Sequence, residues 1–74
     1  MTIHQAFRKT LREIRVSRRL SQERLAELAD LDRTYISMLE RGVRRPSIET
    51  FYKVSKGLKI RASEFMARVE AKLR

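Results

Sequence analysis

The stretch Ser21–Gly42, SQERLAELADLDRTYISMLERG, constrains the fold more than any other part of the chain. Ser21 is a good helix N-cap, and Leu25, Leu28 and Ala29 recur at the spacing that lines one helical face with apolar groups. Asp30 breaks that pattern. Asp enters the left-handed backbone region more cheaply than most residues, and Asp32 can cap a second helix by accepting its free N–H groups. Ile36 and Leu39 give this second helix its inward stripe. Gly42 follows Arg41 where a helix needs positive φ to close off its last carbonyls. The stretch predicts helix, tight turn, helix.

The flanks supply three more helices. Ile3, Phe7, Leu11 and Ile14 recur at four and three residues through Thr2 to Arg19, with Arg8, Lys9, Arg12, Arg15, Arg18 and Arg19 on the remainder, which predicts an amphipathic helix with a basic outer face. After Gly42 a short loop, Val43-Arg44-Arg45-Pro46, leads to Ser47, a cap for a helix that buries Ile48, Phe51, Val54, Ser55 and Leu58. Gly57 can end that helix by the usual rule. From Ala62 onward Phe65, Val69 and Leu73 fall at steps of four with Met66 beside them, a fifth helix over about 62–73. The chain has no repeat, linker or low-complexity tract, so residues 1–74 read as one all-α domain of five helices. The first four helices can close a core around Ile14, Leu25, Ile36, Leu39, Phe51, Val54 and Leu58.

Charge narrows the partner. A net charge of +9 on 74 residues points to a polyanion. No apolar run approaches the ~18 residues of a spanning helix, and Met1 to Thr10 lacks a signal-peptide core, which predicts a cytoplasmic protein that does not enter membranes. The basic first helix taken alone suits a solvated face, a membrane surface or nucleic acid; the helical pair beside it favours nucleic acid. There is no cysteine, and His4 alone cannot build a metal site, so His4 reads as an ordinary surface residue. Catalysis needs a nucleophile with its base, paired carboxylates in a pocket, a metal cluster or a phosphate-cradling glycine loop, and none is present. The chain is expected not to be an enzyme and to need no cofactor.

Reading DNA takes a rigid helix that fits the major groove, a few outward side chains that reach base edges, and flanking cations that grip phosphates. With Ile36 and Leu39 inward, Arg33, Thr34, Ser37, Met38 and Arg41 point outward, and Arg44 and Arg45 follow in the loop. Arg33 is the strongest candidate base reader, because its fork can donate two hydrogen bonds to guanine O6 and N7. Thr34 and Ser37 can bond bases or phosphates. Met38 can lie against a thymine methyl or form a partly exposed edge of the core.

SQERLAELA, the short turn, RTYISMLERG and the Pro46-Ser47 that follows resemble the phage-repressor type (Cro/cI, XRE-like) of helix-turn-helix, over about Leu11 to Leu58. A subset, the small controller proteins of restriction-modification systems, is similar in size and in the segment LDRTYIS. The resemblance implies a five-helix lambda-repressor-like fold with the helix-turn-helix at the second and third helices. It carries the fourth helix on to Leu58 with Lys59 at the turn. It implies base contacts at Arg33, Thr34 and Met38 and a phosphate contact at Gln22, and within the subset DNA contacts at Arg33, Thr34, Tyr35, Ser37 and Arg44. Packing against the turn is the other reading of Tyr35. It also implies a structural ion pair between Arg15 and Glu40, joining the first and third helices. Many relatives carry glycine where Arg19 and Asp30 stand, so both positions are expected to hold a left-handed conformation, at ~1 kcal/mol for Arg19 and more cheaply for Asp30.

A core of this size is marginal unless two copies associate. The expected molecule is a homodimeric, sequence-specific transcription regulator on a palindromic operator, with double-stranded DNA as its partner and the control of a restriction-modification system as one setting. An antitoxin that also covers a toxin, and a basic surface or protein-protein adaptor, are the alternatives. The fifth helix is the expected interface: Phe65 completes the core as in relatives, leaving Met66, Val69 and Leu73 as an exposed patch. The competing reading is that all four pack on their own domain.

Overall fold

The computed structural model describes residues 1–74 as five helices: α1 (Ile3–Ser17), α2 (Gln22–Ala29), α3 (Arg33–Arg41), α4 (Ile48–Gly57) and α5 (Ala62–Ala71). Each start has a local cause. Thr2 and Gln5 form a capping box on α1, Ser21 accepts from Arg24 N, Asp32 from Thr34 N and Ser47 from Thr50 N; only α5 begins without a side-chain cap, at Arg61.

The first four helices end in one way. A left-handed residue follows or forms the C-cap, at Arg19 (φ 58°), Asp30 (φ 57°), Gly42 (φ 79°) and Lys59 (φ 58°). The next amide then reaches back to the helix: Leu20 N to Arg15 O at 3.1 Å, Leu31 N to Ala26 O at 2.9 Å, Val43 N to Met38 O at 3.0 Å and Ile60 N to Ser55 O at 3.1 Å. These bonds occupy carbonyls that would otherwise lack partners. Leu20, Leu31 and Ile60 turn back onto the core from that position, whereas Val43 stays in solvent. The expected left-handed backbone at Arg19 and Asp30 is present, and Lys59 takes the turn after Leu58.

Phe7, Phe51 and Phe65 meet where α1, α4 and α5 converge, with ring centroids 4.8–5.8 Å apart. Leu11, Ile14, Leu25, Ile36, Leu39, Val54 and Leu58 fill the rest of the core. Gly57 is the last residue of α4, where α2 comes close: a Cβ there would lie 2.9 Å from Leu25 Cδ1 and 3.1 Å from the Ala29 backbone nitrogen. The glycine therefore permits close packing; the helix ends at it with Leu58 as C-cap, and the left-handed residue of the turn is Lys59, not the glycine. The buried hydroxyls of Thr10 and Ser55 donate to Ala6 O and Phe51 O within their own helices.

Three expected core residues are exposed. Ile3 and Ile48 begin their helices beyond the edge of the packed layer, and Leu28 is left at the surface of α2, whose buried residues are Leu25, Ala26 and Ala29. The proposed apolar patch on α5 is also corrected. Val69 is 0% exposed and belongs to the core of its own chain, because α5 packs on α1 and α4 through Phe65 and Val69 together. Met66 is half-buried against that core, while Leu73 lies exposed past the end of α5, so the three form no single surface. No helix is long and apolar enough to cross a membrane.

Candidate nucleic-acid interface

α3 is anchored by Ile36 and Leu39, both wholly buried, and this fixes which side chains look outward. Arg33, Thr34 and Arg41 are exposed; Ser37 and Met38 are half-buried on the same side. Arg44 and Arg45 stand exposed in the loop that follows, so the outer surface of α3 runs into a cationic strand of chain. Tyr35 packs partly against the core, and the Arg44 guanidinium lies 5.7 Å from its ring centre. The ring therefore serves packing and also carries a cation out toward solvent.

Glu40 is the one acid in α3, and its carboxylate is 4% exposed. Arg15 reaches it from α1 with two donors, Nε to Oε2 at 2.5 Å and Nη2 to Oε1 at 3.1 Å, and donates a third bond to Leu20 O at 2.8 Å. The predicted ion pair is thus bidentate and nearly buried. Gln22 also donates to Glu40 Oε1, at 3.1 Å, and the Arg12 guanidinium stands 3.7 Å from the same oxygen with most of its side chain in water. The amide expected to be free for a phosphate is therefore held at the start of α2 by the same carboxylate. The cluster leaves no uncompensated negative charge on α3, whose outer face is left to cations and hydroxyls.

Two further contacts were not anticipated. Arg8 Nη1 donates to Arg41 O at 2.6 Å, and His4 Nε2 lies 3.3 Å from Gly42 O. His4 is half-buried against the end of α3 and is not the plain surface residue expected. The signal was the spacing of His4, Arg8, Arg12 and Arg15, which places all four on one side of α1; read along the chain alone, that side looks like a solvated basic face.

The helix-turn-helix family model matches residues 11–65. The chain is 43% identical over 61 residues to the control protein C.BamHI of Bacillus amyloliquefaciens, covering 81% of this chain and 75% of that protein. The fold is similar to the wild-type restriction-modification controller protein C.Esp1396I, with a TM-score of 0.92 and 29% identity over 99% of this chain and 94% of that one. It is equally similar to C.Esp1396I bound to a 19 base pair DNA duplex, with a TM-score of 0.92 and 28% identity over 100% and 99% of the two chains.

Proposed function

This chain belongs to the helix-turn-helix family of DNA-binding regulators, among the control proteins of restriction-modification systems, and from that premise we propose that it regulates transcription as a homodimer on a palindromic operator. The observation that carries the reading is the outer face of α3. It presents Arg33, Thr34, Ser37, Met38 and Arg41 while Glu40, the only acid on the helix, is bonded to Arg15 and turned inward. Arg33 is assigned to a guanine, Thr34, Ser37 and Met38 to neighbouring base edges or phosphates, and Arg41, Arg44 and Arg45 to the backbone, which Gln22 can join only through the amide N–H that Glu40 does not hold. The likeness to a controller solved on a DNA duplex supports docking through this face. A protein with this role acts in the cytoplasm, beside the chromosome.

Pairing is supported by an apolar groove of about 680 Å³ between the N-terminal ends of α1, α4 and α5, whose rim includes Ile3, Ile48, Tyr52 and Met66. Ile48 is 89% exposed and Ile3 and Tyr52 more than half exposed, an apolar surface that a second copy would remove from water. Arg45 lines the same groove, which sets the interface beside the cationic loop. We assign the interface to this groove, whose lining includes Met66 and the wholly buried Val69 but not Leu73. Selection of bound duplexes from a random pool tests the function: a two-fold symmetric consensus is expected, and a pool that stays random after repeated rounds refutes sequence-specific regulation.

A further inference from the structure

The end of the recognition helix is held by α1 at three consecutive residues. Arg15 takes the Glu40 carboxylate, Arg8 donates to the Arg41 carbonyl at 2.6 Å, and His4 lies 3.3 Å from the Gly42 carbonyl. The last carbonyls of a helix lack partners within it and form the negative end of its dipole, so a guanidinium there both satisfies a bond and meets a favourable potential. Arg8 also fills the space beside Gly42: a Cβ on that residue would lie 2.6 Å from Arg8 Nη1. Gly42 is required for its φ of +79°, and the Arg8 guanidinium is seated against it.

We propose that Arg8, assisted by His4, is a positioning residue for base readout: it fixes the C-terminal turn of α3 against α1, and with it the backbone from which Arg41 and the Arg44-Arg45 loop depart. The proposal rests on the DNA-reading function above. Arg15 holds the last turn of α3 through the Glu40 side chain, whereas Arg8 bonds the main chain itself, at the final residue of the helix. α3 has only nine residues, so a loosened last turn changes the aim of Ser37, Met38 and Arg41 together. A phosphate contact by Arg8 is the rival role, and the two differ in what they do to sequence discrimination and to salt dependence.

The experiment compares the wild-type chain with Arg8→Met, Arg8→Lys and His4→Ala, using a duplex selected by the wild-type chain and a scrambled duplex across a salt series. Arg8→Met is expected to bind the selected duplex about tenfold more weakly, the scale of one impaired base contact, while scrambled binding and the salt slope stay as in wild type. Arg8→Lys, which keeps a cation and a donor at the carbonyl, is expected to recover most of the loss. Amide hydrogen exchange at Arg41 to Arg44 in free Arg8→Met is expected to quicken relative to α4. Weaker binding to both duplexes with a slope reduced by ~1 makes Arg8 a phosphate contact and overturns the proposal. A lower melting temperature with unchanged discrimination overturns it too, since Arg8 would then only stabilise. Should Arg8→Met not fold, His4→Ala decides by the same pattern at smaller amplitude, and unchanged discrimination there is equally fatal. A wild-type chain that enriches no sequence refutes the DNA-reading function, and the positioning role with it, before any variant is compared.

Discussion

Glu40 is an acid on the helix assigned to a polyanion, and only its partners make that tolerable. Its carboxylate is 4% exposed and accepts from Arg15 and Gln22, so removing it strands the Arg15 guanidinium, which is 10% exposed, without its counter-charge. Loss of one member of a nearly buried pair costs up to ~3–5 kcal/mol, less where water reaches the survivor. Glu40→Ala is therefore expected to lower the melting temperature well below that of Glu70→Ala, at an exposed position of α5; equal melting temperatures would contradict the structural role. Arg33 lies at the other extreme, exposed at the first position of α3 with no side-chain hydrogen bond to break. Arg33→Ala should leave stability unchanged and relax discrimination at one guanine per half-site by about 1–3 kcal/mol. Arg44→Ala should instead weaken all duplexes alike and reduce the salt slope by ~1. A titration series on matched and single-substituted duplexes separates the two. The ion pair and the outward set on α3 were legible in the sequence, one from the family resemblance and the other from the apolar spacing of Ile36 and Leu39. The hold of Arg8 and His4 on the end of α3 was not, because it joins residues 33 and 38 positions apart through main-chain carbonyls, which leave no mark on residue type.

At the scale of elements, the turns constrain the fold as tightly as the helices do. Arg19, Asp30 and Lys59 hold left-handed backbone without being glycine, and each is followed by an apolar residue that returns to the core. The strain of such a residue is ~1 kcal/mol or more, part of which reappears as chain entropy when glycine is introduced. Arg19 is exposed, and its side chain makes no hydrogen bond or ion pair, so Arg19→Gly is expected to stabilise by about 0.5–1 kcal/mol, read as an upward shift of the denaturant midpoint. A fall in the midpoint would mean that Arg19 contributes something its contacts do not reveal. Helix number, order and the caps at Ser21, Asp32 and Ser47 were legible here because each depends on neighbours within four residues. What failed was the rotation of helices at their ends: Ile3, Leu28 and Ile48 continue an apolar stripe in sequence, yet the layer they would enter stops short of them. The error at Val69 is the converse. A stripe of four apolar residues on α5 does not reveal how many of them the remaining helices can cover, and they cover Phe65 and Val69 completely. Val69→Glu is accordingly expected to unfold the protomer, losing on the order of 3–5 kcal/mol by placing a charge in the core, and not to release a folded monomer. Circular dichroism at low temperature distinguishes the two results.

For the whole molecule, the question is how one small domain acquires enough contact with DNA to be specific. The protomer measures 32 × 23 × 22 Å and offers a single α3, which spans one stretch of major groove. Successive turns of the major groove on one face of the duplex recur about every 34 Å, so under the proposed dimer two protomers side by side would present two reading helices at once. The proposed interface is the groove rimmed by Ile3, Ile48, Tyr52 and Met66, where association would remove exposed apolar surface from water, and Arg45 lines the same groove. Ile48 is the most informative position: it is 89% exposed at the first residue of α4, so a charge there disturbs nothing inside the protomer. Ile48→Glu is expected to retain the wild-type circular dichroism spectrum while sedimenting as a monomer at tens of micromolar. Its binding to a palindromic duplex should fall to that of a single half-site, because the second recognition helix no longer arrives as part of the same event. A wild-type chain that is monomeric at that concentration, or an Ile48→Glu chain that remains dimeric, would move the interface off this groove.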